Sequence, residues 1–269
     1  MWQYITVNSM DSFHLLTLLS LKNMLINREL WGKRFTKNNF PNWTCSKCNT
    51  GFFKIVNDTF QVACDGTTEI YKFRDNFQTH HYYLRFCAFL RCNNNECKES
   101  AVITGRGNVV EEGYDYKQVE YYKPEYCHPP PAIFKIPEKT PKDITDAILQ
   151  SFSIFLSQPN CAGNKIRTSI EKLMDFQKIN KTSISKKTSK RVKLTLHDRI
   201  IAYGKKNEKL SENILAIKWI GNSASHTQGL EIEDIFDAYD LLNHVLNEIY
   251  DNRARHIAKI TKARNIRKK

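Results

Sequence analysis

Two short cysteine pairs bracket one stretch of this chain and constrain its fold more than any other feature. Cys45 and Cys48 stand in Trp-Thr-Cys-Ser-Lys-Cys-Asn-Thr-Gly, and Cys92 and Cys97 in Cys-Asn-Asn-Asn-Glu-Cys. A Cys-x2-Cys turn offers two thiolates to one ion, and a second short pair completes a tetrahedron of soft ligands. Structural zinc is held in this way, with no position left open for a substrate. The 43 residues between the pairs are rich in β-branched and aromatic side chains, more than a minimal ribbon needs. The expected fold here is a zinc ribbon with an inserted hairpin or two. Gly51 falls where the knuckle turn would call for a glycine. Four buried or disulfide-bonded cysteines are the competing reading; the shortness and polarity of each pair favour metal. A ribbon alone assigns no function, since ribbons serve nucleic-acid binding, protein docking and stapling alike.

The 269 residues are enough for two domains of ordinary size, and 41% hydrophobic with 26% charged residues is the composition of a soluble globular protein. The net charge of +13 is unevenly placed: residues 1–138 carry net +2 and residues 139–269 net +11. A field of that kind suits an anionic partner, nucleic acid first and acidic lipid second, with solubility as the plain alternative. Eight cysteines, two of them in Cys-x2-Cys spacing, point to a reducing compartment with metal. Met1 is followed by no basic leader region, and the apolar run Phe13–Leu21 is too short and too polar to span a membrane. The expected location is the cytoplasm, with no membrane partner.

Residues 1–40 read as an N-terminal helical extension, with a strand-like Trp2–Val7 ahead of a short amphipathic helix; translation starting at Met24 is the alternative. Residues 41–130 form the expected ribbon-like β domain. Gly51–Val56 and Thr59–Cys64 suggest a hairpin across Asn57-Asp58. Thr68–Phe73 and His81–Leu90 are strand-like, and Gly105-Arg106-Gly107 suggests a turn between strands Ser100–Thr104 and Asp115–Tyr122. His128-Pro129-Pro130-Pro131 opens a stiff, extended connector over residues 131–141. Beyond it the period turns helical. Helices are expected from Asp143, from Asn160 or Cys161, over Leu196–Tyr203, over Ser211–Ile220 and over Ile232–Asn252, within a helical domain of residues 142–252. Acidic residues Glu231, Glu233, Asp234, Asp237 and Asp240 suit the start of the last helix. Residues 178–193 are a basic Ser/Thr/Lys loop, and the tail, residues 253–269, holds eight basic residues and no acid.

The order of these motifs resembles bacterial proteins carrying the domain of unknown function 4145, in a form with an N-terminal zinc ribbon. The residues that carry the likeness begin with Pro41–Cys48 and Cys92–Glu99. They continue through Tyr122–Tyr126, Ile136-Pro137, Ser151-Phe152 and Cys161–Glu171, and end with Ile217–His226. The resemblance spans roughly residues 40–252. It implies a helical domain related to the HEPN superfamily, whose members include RNases of toxin and phage-defence systems and which tend to dimerise. Such RNases use Arg-x4–6-His, with arginine stabilising phosphate charge and histidine moving a proton. The matching position here reads Gly221-Asn222-x3-His226, with glycine where the arginine stands.

The fold class expected is therefore α+β, an N-terminal β-rich zinc ribbon followed by a C-terminal HEPN-like helical bundle. The metal ligands are Cys45, Cys48, Cys92 and Cys97, holding one structural Zn2+ per chain. The candidate catalytic residues are His226, Asn222 and Arg167, with Arg167 replacing the missing arginine. A structural reading has His226 capping its helix, and Asn164, Arg167 and Glu171 forming an internal polar cluster. Arg191-x5-His197 is an accidental second match. His80, His81 and His128 read as surface or packing residues, and Cys64, Cys87 and Cys127 as packing residues. A second metal site from Cys64, Cys87, His81 and Cys127 is the alternative for that group. The leading function is a non-enzymatic, nucleic-acid-associated module of a prokaryotic phage-defence or restriction-type system, with defence proteins as further partners. The alternatives are a metal-independent, HEPN-type ribonuclease using His226, and a protein–protein scaffold that forms a homodimer through its helices.

Overall fold

The computed structural model describes residues 25–185, 189–223, 230–251 and 253–266. In chain order the first half contains α1 (Glu29–Gly32), β1 (Thr44–Cys45), β2 (Phe53–Ile55), β3 (Gln61–Cys64) and α2 (Gly66–Tyr71). A single 3-10 turn, Thr79–His81, leads to β4 (Tyr83–Cys92), β5 (Ser100–Glu112), β6 (Lys117–His128) and β7 (Pro131–Ala132). The second half contains α3 (Lys142–Ile154), α4 (Pro159–Phe176), β8 (Thr182–Ile184), β9 (Arg191–Lys193), α5 (Leu196–Gly204), α6 (Glu208–Ser223) and α7 (Ile232–Leu246). The π-turn Asn247–Asp251 and α8 (Arg253–Ile266) close it. The architecture is a curled antiparallel sheet followed by helices.

Strand β4 alternates exposed and buried residues along its whole length, which is the period of a sheet with one face packed and one face open. It pairs with β5 on one side, and β5 pairs with β6. On its other side β2 and β3 lie one after the other against the same strand, Ile55 opposite Leu90 and Gln61 opposite Cys87. They therefore do not form the expected hairpin. They are two pieces of one edge, interrupted at residues 56–60. Thr59 bridges the gap, its hydroxyl accepting from Phe89 N at 3.1 Å. The interruption points Phe60 inward, where it stacks on Phe86 with ring centroids 5.3 Å apart and meets Tyr122 edge-on at 4.8 Å. Contact between Phe60 at one edge and Tyr122 on β6 requires the sheet to curl around its aromatic interior.

The turn expected at Gly105-Arg106-Gly107 is absent, because β5 runs straight through it. Gly105 is buried under the curl, where an added Cβ would lie 2.8 Å from Phe86 Cε1. Its smallness serves close packing at a register shift between Thr104 and Gly105, not chain reversal. Reversal falls at Gly113, which takes φ +74°. Thr68–Phe73 is likewise not a strand: Asp65 accepts the Thr68 amide at 2.9 Å and starts helix α2.

The connector is built into the fold. Pro131–Ala132 pairs with Thr44–Cys45, and Phe134 packs edge-on against Phe152 of α3. The helices gather around α4, which touches α3, α5, α6 and α7. Tyr239 of α7 is fully buried at their centre and donates to Ser151 Oγ at 3.1 Å. Two features of the short N-terminal segment bind the halves together. Trp31 stacks on Trp43 at 5.2 Å and meets Phe155, just after α3, at 5.5 Å. Arg28 forks onto Glu233 at 2.7 Å and Asp237 at 2.5 Å, and reaches Asp240 at 3.4 Å. The acidic start of α7 thus clamps a distant arginine as well as suiting its helix terminus. No described helix is long and apolar enough to cross a membrane.

Candidate metal centre and basic helical corner

Two similar turns bring the four paired cysteines together. In the first, Cys45 N donates to Gly51 O and Asn49 N returns to Cys45 O, both at 2.9 Å. In the second, Cys92 N donates to Glu99 O at 2.8 Å and Cys97 N to Asn94 O at 3.0 Å. Each turn carries one residue in the left-handed region, Asn49 at φ 55° and Lys98 at φ 48°. The turns are laced to each other, with Phe52 N donating to Asn93 Oδ1 at 2.7 Å and Asn94 Nδ2 to Thr50 Oγ1 at 3.0 Å. Gly51 is needed for proximity: an added Cβ would strike the Cys92 sulfur and lie 2.8 Å from Asn94 Cβ.

All four sulfurs lie within 4.8 Å of one another, Cys45 to Cys97 at 3.9 Å and Cys48 to Cys92 at 3.7 Å. A tetrahedral ion with metal–sulfur bonds of about 2.3 Å places its sulfurs about 3.8 Å apart. The cluster therefore fits a metal ion, with every ligand a cysteine. Its proton chemistry points the same way. The Thr50 hydroxyl, followed by the Gly51 and Thr50 amides, pulls the Cys48 thiol down to about 5. Burial pushes Cys92 up to about 12 and raises Cys45 as well. A divalent ion would stabilise the thiolates against that burial.

The alternative of a second metal site from Cys64, Cys87, His81 and Cys127 does not form. Among the described residues the four paired cysteines are the one such cluster. Cys87 points outward from β4 while Cys127 is buried, its thiol pushed to about 12 by that burial. His81 instead accepts the Gln78 amide through Nδ1 at 3.1 Å.

On the helices, Arg167 of α4 pairs with Glu171 at 3.2 Å, but both side chains are half-exposed and Asn164 is exposed, so the three do not form an internal polar cluster. Arg167 also lies over Gly221 of α6, where an added Cβ would be 3.0 Å from Arg167 Cβ. Its Nε is buried without a hydrogen-bond partner. Asn222 is half-buried next to Gly221, and His226 lies outside the described residues. Beside this corner the structure adds Lys218, a buried cation with no carboxylate partner among the described residues. Its ammonium sits 3.2 Å from the centroid of the Trp219 ring. Burial and then the Arg167 charge lower the Lys218 pKa. Helical spacing places Lys218 with its inward-facing neighbour Ile217, but a lysine there gave no signal of its own. His197 stands with its ring 6.0 Å from Trp219, while Arg191 lies exposed in the β8–β9 hairpin.

Sheet, cysteine cluster and helices thus define a two-part protein, a thiol-clamped β half joined to a basic helical half. Residues 150–269 match the model of a domain of unknown function, DUF4145. Residues 33–130 match a second domain of unknown function, DUF8608. The β half therefore has a family model of its own, where the sequence resemblance treated it as a form of the first. No curated protein and no solved structure matches the chain.

Proposed function

We propose that the four cysteines hold one structural zinc ion, and that the protein is a non-enzymatic nucleic-acid-associated module of a prokaryotic phage-defence or restriction-type system. The all-cysteine ligand set supports zinc, because soft thiolates in a closed tetrahedron leave no site for a reacting group. The observation that carries nucleic-acid association is α8. Its described side chains from Ile257 to Ile266 are all exposed, with Lys259, Lys262 and Arg264 among them and no acid. Ile257, Ile260 and Ile266 are exposed among these cations, so this described part of the helix has no buried face and offers an unneutralised positive surface to an anionic partner. The basic bundle, of HEPN type in this reading, and α8 then contact backbone phosphates. Replacing Lys259, Lys262 and Arg264 by glutamate tests this, with binding to single-stranded RNA and DNA measured from low to physiological salt. Wild-type affinity should fall steeply with salt, and the variant's slope should flatten by roughly 2, at about 0.7 per lost contact. An unchanged slope would sink the assignment.

One observation favours a second reading, a ribonuclease. Arg167 fills the space over Gly221, so an arginine on α4 could supply the guanidinium that the HEPN motif places on α6, with His226 moving the proton and Asn222 beside it. Incubation of labelled single-stranded RNA with wild type, His226→Ala and Arg167→Ala decides between them. Cleavage lost in both variants makes this an enzyme; retarded, intact RNA keeps it a binding module.

A further inference from the structure

The outer face of the β4–β5–β6 sheet carries a pattern that packing does not explain. Alternation along β4 points Tyr83, Arg85, Cys87, Phe89 and Arg91 away from the core. Register then sets rows across the strands. Arg85 lies opposite Arg106, and Arg106 opposite Lys123, so three cations from three strands stand side by side. Directly opposed like charges destabilise a sheet. Two carboxylates reach the row, Glu125 at 3.3 Å from Arg106 and Asp65 at 4.0 Å from Arg85. Lys123 has none within ion-pair distance among the described residues. Arg34 adds a cation at the row's far side, lying 4.8 Å over the Tyr121 ring and bonding Asn108.

Aromatic rings flank these cations. Phe89 is 55% exposed, Tyr83 50% and Tyr126 42%. Tyr126 and His128 present rings tilted by only 8° from each other, with centroids 6.4 Å apart. Exposed large rings cost free energy in water, and Phe89 stands beside exposed Val102 with His128 next across the sheet, one row beyond Tyr126. The face continues past Tyr126 and His128 into a groove of 510 Å³ against the helices, where Asp146, Gln150 and Lys165 line the wall.

Flat rings and cations spaced along a sheet match a polymer that alternates planar bases with phosphates. We propose that this face binds single-stranded nucleic acid, with Phe89, Tyr83 and Tyr126 stacking on bases and Arg85, Arg106 and Lys123 neutralising the backbone. The strand must be single because paired bases in a duplex do not offer their faces to a flat sheet. An acidic peptide would satisfy the cations but leave the rings unused. This site lies in the half of the chain that is nearly neutral overall, and it is independent of the basic α8.

The test uses the full-length protein and fluorescein-labelled oligouridylate and oligothymidylate, with binding followed by anisotropy. Phe89→Ala and Tyr126→Ala change exposed side chains, so folding should be kept, and circular dichroism checks it. Each is expected to weaken binding by roughly 5- to 150-fold with little change in salt slope. Arg106→Ala with Lys123→Ala should flatten the slope by roughly 1.4. Wild-type binding by both aromatic variants, or equal affinity for a duplex of the same length, overturns the proposal. Loss only in the Lys259, Lys262 and Arg264 variant also overturns it while sustaining the role of α8. Loss only in the sheet variants sustains it and removes that role.

Discussion

Gly51→Ala is the most direct probe of the metal centre, because it adds one methyl group and removes no ligand. That methyl would sit 2.8 Å from Asn94 Cβ and 3.0 Å from Asn94 N, and nearer still to the Cys92 sulfur. Asn94 Cβ would have to retreat by about 0.7 Å to reach an ordinary carbon–carbon contact of about 3.5 Å, and the sulfur by more. Metal–sulfur bonds tolerate displacements of only about 0.2 Å. The Cys92 thiolate of a metal-bound cluster would therefore leave its ion or drag its turn with it, and the second turn is held by the Cys92–Glu99 and Phe52–Asn93 hydrogen bonds. Structural zinc contributes about 10–16 kcal/mol through four ligands, so one ligand lost corresponds to about 3 kcal/mol, on the order of 100-fold in affinity. Competition against a chromophoric chelator measures this. Gly32→Ala is the matched control, since an added Cβ there meets nothing within 4 Å. If Gly51→Ala bound zinc as tightly as wild type, the cluster would not be the metal site in the geometry described.

Three further outcomes are expected. Trp31→Ala should destabilise the protein by about 3–5 kcal/mol in denaturant titration, because the ring is buried between Trp43 and Phe155; Trp219→Ala, at a ring 56% exposed, should cost under about 1 kcal/mol. Chelation by a strong zinc chelator should lower the melting temperature of wild type and leave Cys45→Ala, already short of a ligand, much less affected. Burial works to raise the Asp175 pKa, but hydrogen bonds from Lys181 and Arg199 prevail and hold it below the usual carboxylate value. Its contribution is thus full above about pH 4 and is lost as pH falls through the depressed folded value. Asp175→Asn should remove that part of the acid transition and cost about 1 kcal/mol at neutral pH, discounted because Asp175 is 38% exposed.

What could be read from the sequence was what local chemistry determines. The cysteine pairs announced a cluster because two-residue and four-residue spacings can only turn, and the helices of residues 142–252 declared themselves through the repeat of Ile144, Ala147, Ile148 and Phe152. Glycine was misread because the same residue serves turns and close packing, and only the neighbour decides: Phe86 lies over Gly105 and is distant in sequence. Arg28 and Trp31 gave no signal, since their partners are the acids of α7 and the rings of Trp43 and Phe155, which the chain reaches only once folded. Thr68–Phe73 looked extended from its β-branched start, yet the single cap from Asp65 outweighed that preference. The basic row on the sheet was hidden for a related reason. Arg85, Arg106 and Lys123 are scattered in the sequence, and register alone aligns them.

Register is also what links the metal centre to that face. Cys92 ends β4 as an inward residue, and the odd-numbered residues before it, Arg91, Phe89, Cys87, Arg85 and Tyr83, point outward in consequence. A slip of one residue would exchange the two sets, burying Arg85 and Arg91 and exposing Phe86 and Leu90. Hydrophobic alternation resists such a slip along the middle of the strand, while the strand's end is held by backbone pairing, Phe53 opposite Cys92 and Cys92 N on Glu99 O. An ion binding the Cys92 sulfur would fix that end against Cys45, Cys48 and Cys97. The ion would then govern a surface it never touches, by deciding which side of the strand faces out. Chelation should for this reason weaken oligonucleotide binding at the sheet as well as stability. At temperatures where the metal-free protein is still folded, that loss should resemble the loss from Phe89→Ala rather than the change in salt dependence produced by altering α8.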